Sequence, residues 1–231
     1  MIKAAGKKSL AKLAITDHGP YNIGTGVKSA DSYLEIRKEI NNCLARQEET
    51  EKDELAFIQV LLGAEGNIID LDGRVDLPKR VIKELDWLII GLHPFIRPIS
   101  FPALTNLFIG NQLAKVSRGI RDKAKITNTK ALVESIRNYR PDCVSHPNLQ
   151  LEVDLVEVTK ACINTGALYE INTGHRYQQV EEIRRAAKQG AEFIVNSDAH
   201  YTVTVGELAW GGELLAKAGV EAEQVYNAIK K

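Results

Sequence analysis

Short apolar runs recur along the chain at 10–16, 55–62, 87–90, 142–144, 167–172 and 193–196. Such runs, bounded by turn residues, predict buried strands. The stretches between them follow a different period. Tyr33, Ile36, Ile40 and Leu44 share one face of a predicted helix over 29–49, with Ser29 or Asp31 as cap. Further helices are predicted at 78–85 (begun by Pro78), 128–138, 154–164, 178–189, 205–218 and 221–230. Residues 1–9 look like the last turns of a helix with Gly6 as its stop, and Asp72-Gly73 predicts a small hairpin. The region 95–127 is broken by Pro94, Pro98 and Pro102, and a helix over 103–118 is expected within an inserted loop. Alternation of strand and helix predicts an α/β fold with a parallel sheet and helices outside it. No repeat, low-complexity tract or linker interrupts the pattern, so one domain over 1–231 is expected.

Chemistry concentrates where the apolar runs stop. In α/β folds ligands gather at the carboxyl ends of the strands, in open sheets and barrels alike. Here those ends carry His18, Glu65, His93, His146, and Asp198 with His200, while the remaining run ends in Asn172. Four of the five histidines in the chain take these positions. Asp198 and His200 are two residues apart, so in extended backbone they project to one side. Any one of these histidines could simply bond a loop carbonyl, and Glu65 alone could be a surface acid. Convergence at one mouth favours a metal centre built from nitrogen and oxygen donors, which suits Zn, Mn or Fe. His175 falls outside the pattern and reads as a loop or substrate contact. Arg97 and Arg176 are candidates to hold an anionic substrate, against a simpler reading as solvated charges.

Composition narrows the classes. Thirty basic and thirty acidic residues cancel, so charge gives no support for a general nucleic-acid or anionic-membrane surface. Cys43, Cys143 and Cys162 show no CxxC spacing and read as buried thiols of a reducing, cytoplasmic protein. No apolar run approaches the roughly 18–20 residues of a membrane span, and the N-terminus lacks the apolar core of a signal peptide.

The series Thr16-Asp17-His18-Gly19, Gly63-Ala64-Glu65, Gly91-Leu92-His93, Ser145-His146-Pro147, Glu170-Ile171-Asn172 and Ser197-Asp198-Ala199-His200 resembles the PHP (polymerase and histidinol phosphatase) family. The likeness is greatest to the small bacterial single-domain hydrolases, and its order and spacing run over nearly the whole chain. It implies a distorted (β/α)7 barrel, a centre of up to three divalent metals, and phosphoesterase activity on a small phosphorylated substrate. Glu65 would then bridge two metals, with His93 and His146 completing the second. Asp198 would belong to the first metal, and His18 and His200 to the third. Asp198 or a third-site histidine such as His200 would be placed to shuttle a proton.

The resemblance also leads one to expect an initial strand ending in His-x-His, followed by another histidine, and the sequence has no counterpart to it. A stretch preceding Met1 would account for this, as would a natural short form or a strand supplied by a partner. The first is favoured, because a lost strand exposes two sheet edges. Such a gap would favour association into a homo-oligomer. Two alternatives to a phosphomonoesterase follow. One is an exonuclease acting on 3′ ends, which neutral charge disfavours. The other is a catalytically inactive metal-binding module.

Overall fold

The computed structural model describes residues 1–50 and 58–229. The start of the second apolar run, 55–57, lies outside them. A short helix α1 (Ile2–Lys7) precedes β1 (Lys12–Ile15), α2 (Ser32–Thr50), β2 (Gln59–Asn67), α3 (Lys79–Ile82) and β3 (Trp87–Gly91). An insertion follows, made of α4 (Phe101–Ala103), a π-helical stretch (Leu104–Ile109) and α5 (Gly110–Leu113). The chain continues through α6 (Arg118–Tyr139), β4 (Cys143–Val144), α7 (Leu155–Thr165), β5 (Leu168–Asn172), α8 (Val180–Gln189), β6 (Phe193–Asn196) and α9 (Ala209–Ala218).

The strands form one parallel sheet in sequential order, β1-β2-β3-β4-β5-β6, curled as a distorted TIM-like barrel. Strand alternation sorts its side chains into layers. On the inner face Ile89, Cys143, Leu168 and Ile194 pack together with Trp87 as an apolar floor. Two residues further along the same strands, the inner positions become Gly91, Ser145, Glu170 and Asn196. Outward positions such as Tyr169, Ile171, Phe193 and Val195 pack with Ile183, Leu214 and Leu215 of α8 and α9. A larger outer cluster joins Leu62, Ile90 and Val144 to Tyr33, Leu132, Ile136 and Val158 of the helices. The apolar floor thus lies below a polar layer at the carboxyl ends.

Helix boundaries have local causes. Asp154 caps α7 by accepting from the Val156 and Glu157 backbone N–H groups, and Gly166 ends it at φ 77. The α8 terminus is set by Glu182, whose carboxylate accepts from the Gln179 N–H. Several expectations shift: the helix expected over 205–218 begins at Ala209, and that expected over 103–118 is broken into the short pieces that end at Leu113. Gly6 is buried inside α1, which ends at Lys7. The helix expected over 128–138 begins ten residues earlier, at Arg118. The helix expected over 221–230 is only a 3-10 turn at Ala222–Gln224. Beyond that turn the backbone extends and Val225 bridges Phe193. Tyr226 N–H donates to Phe193 O, and the Asn227 side-chain amide pairs with both backbone groups of Val195. Satisfying the free edge of β6 outweighs helix propensity there.

The ring is open. Among the described residues β1 and β6 do not pair with one another. Between them lies a cavity of about 420 Å³ that runs from Leu13, Ile15 and Ile194 up to Glu65, His146 and Glu170. β1 is accordingly the least buried strand, whereas every residue of β5 is buried. No described helix is long and apolar enough to cross a membrane.

Candidate metal centre

Each of the histidines and acids at the strand ends reaches the same mouth. Glu65 lies near the end of β2, where Gly19 N–H donates to its carbonyl and its own N–H donates to Asp17 O. This extends the β1–β2 ladder one step and brings His18 beside Glu65 as an isolated bridge. A buried brace sets the loop behind His18. The Asp76 carboxylate accepts from Tyr21 N–H, Asn67 N–H and the Asn67 amide. Burial raises the Asp76 pKa above the ordinary carboxylate value, although these donors oppose the shift.

Glu65 Oε1 lies 3.1 Å from His93 Nε2 and 3.1 Å from His146 Nε2, and the two nitrogens are 3.2 Å apart. Its other oxygen, Oε2, lies 3.3 Å from His18 Nδ1, which makes no hydrogen bond. The donor atoms of His18, Glu65 and His93 fall within 4.8 Å of one another. The room for this packing comes from Gly91. A Cβ there would stand 2.2 Å from Ser145 Oγ, 3.0 Å from His93 Cε1 and 3.2 Å from Glu65 Oε1.

This donor set fits a metal. Three lone-pair atoms facing one another repel unless a proton or cation sits among them. Metal–ligand bonds of 2.0–2.1 Å in tetrahedral geometry put neighbouring donors about 3.3 Å apart, close to the spacing found. The buried, unpartnered His18 Nδ1 beside the second carboxylate oxygen is a further donor without a role in the protein alone.

Electrostatics follow from the crowding. Burial opposes ionisation of Glu65, but the charges and hydrogen bonds of His93 and His146 outweigh it and hold its carboxyl well below the ordinary range. His93 and His146 both face Glu65 yet move in opposite directions. Burial pushes His93 down, and its two imidazole neighbours add to that. Burial also works against His146, but Glu65, with Glu170 and Asp198 beyond it, pulls it up to about 9.

The other side of the mouth is looser. Asp198 adopts φ 46 and accepts at Oδ2 from the Asn172 amide. His175 Nε2 is 3.4 Å from that oxygen, and His200 Nδ1 is 3.7 Å from Oδ1. Burial lowers the His175 pKa. All five histidines of the chain line one cavity of about 240 Å³. His175, set apart by the sequence pattern, therefore stands with the other four.

Two candidates stand elsewhere. Arg97 is exposed and stacks over the Tyr21 ring, 5.7 Å from its centroid. Arg176 is exposed at φ 52, with its Nε donating to Thr173 O. Neither lines the mouth cavity. Conversely, sequence reasoning gave no role to Glu170, which links three strand ends. Its carboxylate accepts from His146 N–H at 2.6 Å, the Asn172 amide at 3.1 Å and the Asn196 amide at 2.9 Å. Burial raises its pKa. The available signal was its spacing, since Glu170 and Asn172 are two apart on an inward-facing strand face.

Comparison with known proteins bears on this arrangement. No protein-family model matches the chain. A "Probable phosphatase" of Caldicellulosiruptor bescii is 28% identical over 237 residues, covering 98% of this chain and 82% of that protein. Another "Probable phosphatase", from Acetivibrio thermocellus, is 25% identical over 235 residues with the same coverage, 98% and 82%. Among solved structures, the histidinol phosphate phosphatase of Lactococcus lactis, complexed with zinc, L-histidinol and phosphate, superposes with a TM-score of 0.61. It is 16% identical and the match covers 95% of this chain and 86% of that one, a likeness of fold.

Proposed function

We propose that this chain, like the probable phosphatases it resembles, is a metal-dependent phosphoesterase of the phosphomonoesterase type. One observation carries the reading: Glu65 Oε1, His93 Nε2 and His146 Nε2 form a buried triangle of 3.1, 3.1 and 3.2 Å at the carboxyl ends of their strands.

Glu65, His93 and His146 would hold one metal, and His18, beside the second carboxylate oxygen of Glu65, would serve a neighbouring one. Asp198 and His200 complete the set from the β6 end. Zinc, manganese or iron all suit these donors. A divalent metal bound there lowers the pKa of a water molecule towards neutrality and offsets the charge on phosphate oxygens. The protein's own work is positioning. Glu65 and its histidines are braced by burial and by Glu170, so little reorganisation is needed when phosphate arrives. Asn172 orients Asp198, which with the exposed His200 is placed to pass a proton between site and solvent. No serine or cysteine nucleophile is required, and the buried Cys143 and Cys162 thiols have pKa values raised by burial.

The substrate is a small phosphorylated molecule rather than a nucleic-acid end, since among the described residues no lysine or arginine lines the mouth cavity to follow a polyphosphate backbone. The test uses the full chain loaded in turn with zinc, manganese and iron(II). It is assayed against a panel of phosphomonoesters and a labelled single-stranded oligonucleotide. Release of phosphate from monoesters supports the reading. Shortening of the oligonucleotide alone would replace it with an exonuclease, and metal uptake without either activity with an inactive binding module.

A further inference from the structure

The mouth cavity has a second component besides the histidines. Its remaining wall includes Asn22, Ile23, Leu92, Phe95, Leu149 and Gln150, all without charge. Ile23 and Phe95 are 57% and 56% exposed, large apolar side chains turned to solvent beside a polar centre. They sit on neighbouring loops that are tied together. Ile23 N–H donates to Phe95 O at 2.8 Å, Arg97 N–H donates to Tyr21 O at 2.8 Å, and Asn22 bridges Ile96 in antiparallel fashion. The Arg97 guanidinium packs on Tyr21 within the same pair of loops. The lip is therefore built and braced, and Leu149 faces the cavity from the loop after β4.

The side chains that this lip turns to the cavity carry no charge, and Arg97 of the same loops is not among the lining residues. Among the described residues lining the cavity, Asp198 is the one carboxylate outside the buried triangle, and the Asn172 amide already engages it. Among the described lining residues, a leaving group that carries an ammonium ion would find only Asp198, a carboxylate the centre itself uses, and one with further phosphates would find no guanidinium or ammonium. An apolar ring or chain would cover Ile23 and Phe95 and remove their surface from water.

Resting on the phosphomonoesterase reading, we infer that this site takes phosphate monoesters whose leaving group is neutral and apolar, with Ile23 and Phe95 as the specificity-determining lip. Amine-bearing and polyanionic phosphoesters are the disfavoured classes. The lip acts on the leaving group and the histidine cluster on the phosphate.

The test has a kinetic and a binding arm, both on the zinc-loaded full chain. In the first, kcat/KM is compared for phenyl phosphate, methyl phosphate, L-histidinol phosphate and AMP. Phenyl phosphate is expected to lead, but phenolate is intrinsically the better leaving group, so the lip shows in the change of selectivity on substitution rather than in the wild-type order. Phe95→Ala is expected to lower the phenyl-to-methyl selectivity ratio about tenfold, the scale on which hydrophobic pockets discriminate. Ile23→Asp is expected to shift selectivity towards L-histidinol phosphate by about tenfold relative to phenyl phosphate, since it supplies the missing carboxylate. In the binding arm, calorimetry compares phenylphosphonate with methylphosphonate, which are not hydrolysed. Tighter binding of phenylphosphonate, weakened by Phe95→Ala, supports the inference even if no ester is turned over, in which case only the phosphomonoesterase reading falls. L-Histidinol phosphate or AMP outrunning phenyl phosphate overturns the inference and leaves the phosphomonoesterase standing. Equal binding of the two phosphonates overturns it as well.

Discussion

The two sides of the histidine cluster differ in how they are held. On one side the side chains of Glu65, His93 and His146 are 9%, 10% and 7% exposed and contact one another directly. On the other, Asp198, His175 and His200 are 21%, 43% and 55% exposed and meet at 3.4 and 3.7 Å. In the sequence both sides look alike, an acid and histidines after apolar runs. The difference lies in what surrounds them. The buried side stands on a continuous parallel sheet and is backed by Glu170. The open side follows β5 and β6, and the far neighbour of β6 is a three-residue C-terminal segment rather than a strand. The buried side should therefore set metal affinity and stability, and the open side turnover.

The largest effect is expected from Glu65→Ala. Removing the shared carboxylate leaves two imidazoles facing each other in a buried site, a loss on the order of 3 kcal/mol in stability. Elemental analysis should find no tightly held metal in that variant. Retention of metal at wild-type stoichiometry would break the comparison at its root.

Glu170→Ala comes next. It touches no reacting atom, but it holds the His146 backbone and the Asn172 amide that orients Asp198. Loss of such an outer partner typically costs about 10–100-fold in metal affinity. Titration with zinc against a competing chelator measures it. Glu170→Gln should recover part of the loss by keeping one acceptor oxygen.

Gly91→Ala sharpens the steric side of the same contrast. The added methyl collides with Ser145 Oγ at 2.2 Å and crowds His93 and Glu65, so the buried triangle must spread. Overpacking of this kind costs about 1–3 kcal/mol, read as a lowered urea midpoint. Weaker metal binding should accompany it.

His200→Ala is expected to be the mildest for binding. Metal content at the Glu65 site should be kept while kcat falls, because His200 is exposed and bonds only its own loop at Asp198 O. A variant that loses all metal would show that the open side carries the affinity, and the contrast would reverse. Chelation completes the series. Stripping metal from the wild type should lower its melting temperature by linkage, and the shift should vanish in Glu65→Ala.

Much of the molecule was legible beforehand, and particular residues show why. The runs ending at His18, Glu65, His93, His146, Asn172 and Asp198 are strands or strand ends because short apolar segments between amphipathic helices have one stable arrangement, a parallel sheet covered on its outer face. Arg97 and Arg176 were candidates by charge alone, and charge does not say where a side chain points. Arg97 packs on Tyr21 and Arg176 bonds Thr173 O, and neither is among the residues that line the mouth cavity. The extended tail at Val225 escaped notice because the unpaired edge it satisfies belongs to residues some thirty positions earlier.

The sequence by itself determined the order of strands and helices, the positions of the candidate ligands at strand ends, and the nitrogen–oxygen character of the donor set. These follow from local periodicity and side-chain chemistry. Tertiary structure alone decided which oxygen of Glu65 faces which histidine, that His175 joins the other four, that Glu170 braces them, and that an uncharged lip of Ile23 and Phe95 borders the site. Each is a distance between residues far apart in the chain, fixed by sheet curvature and packing rather than by any local preference.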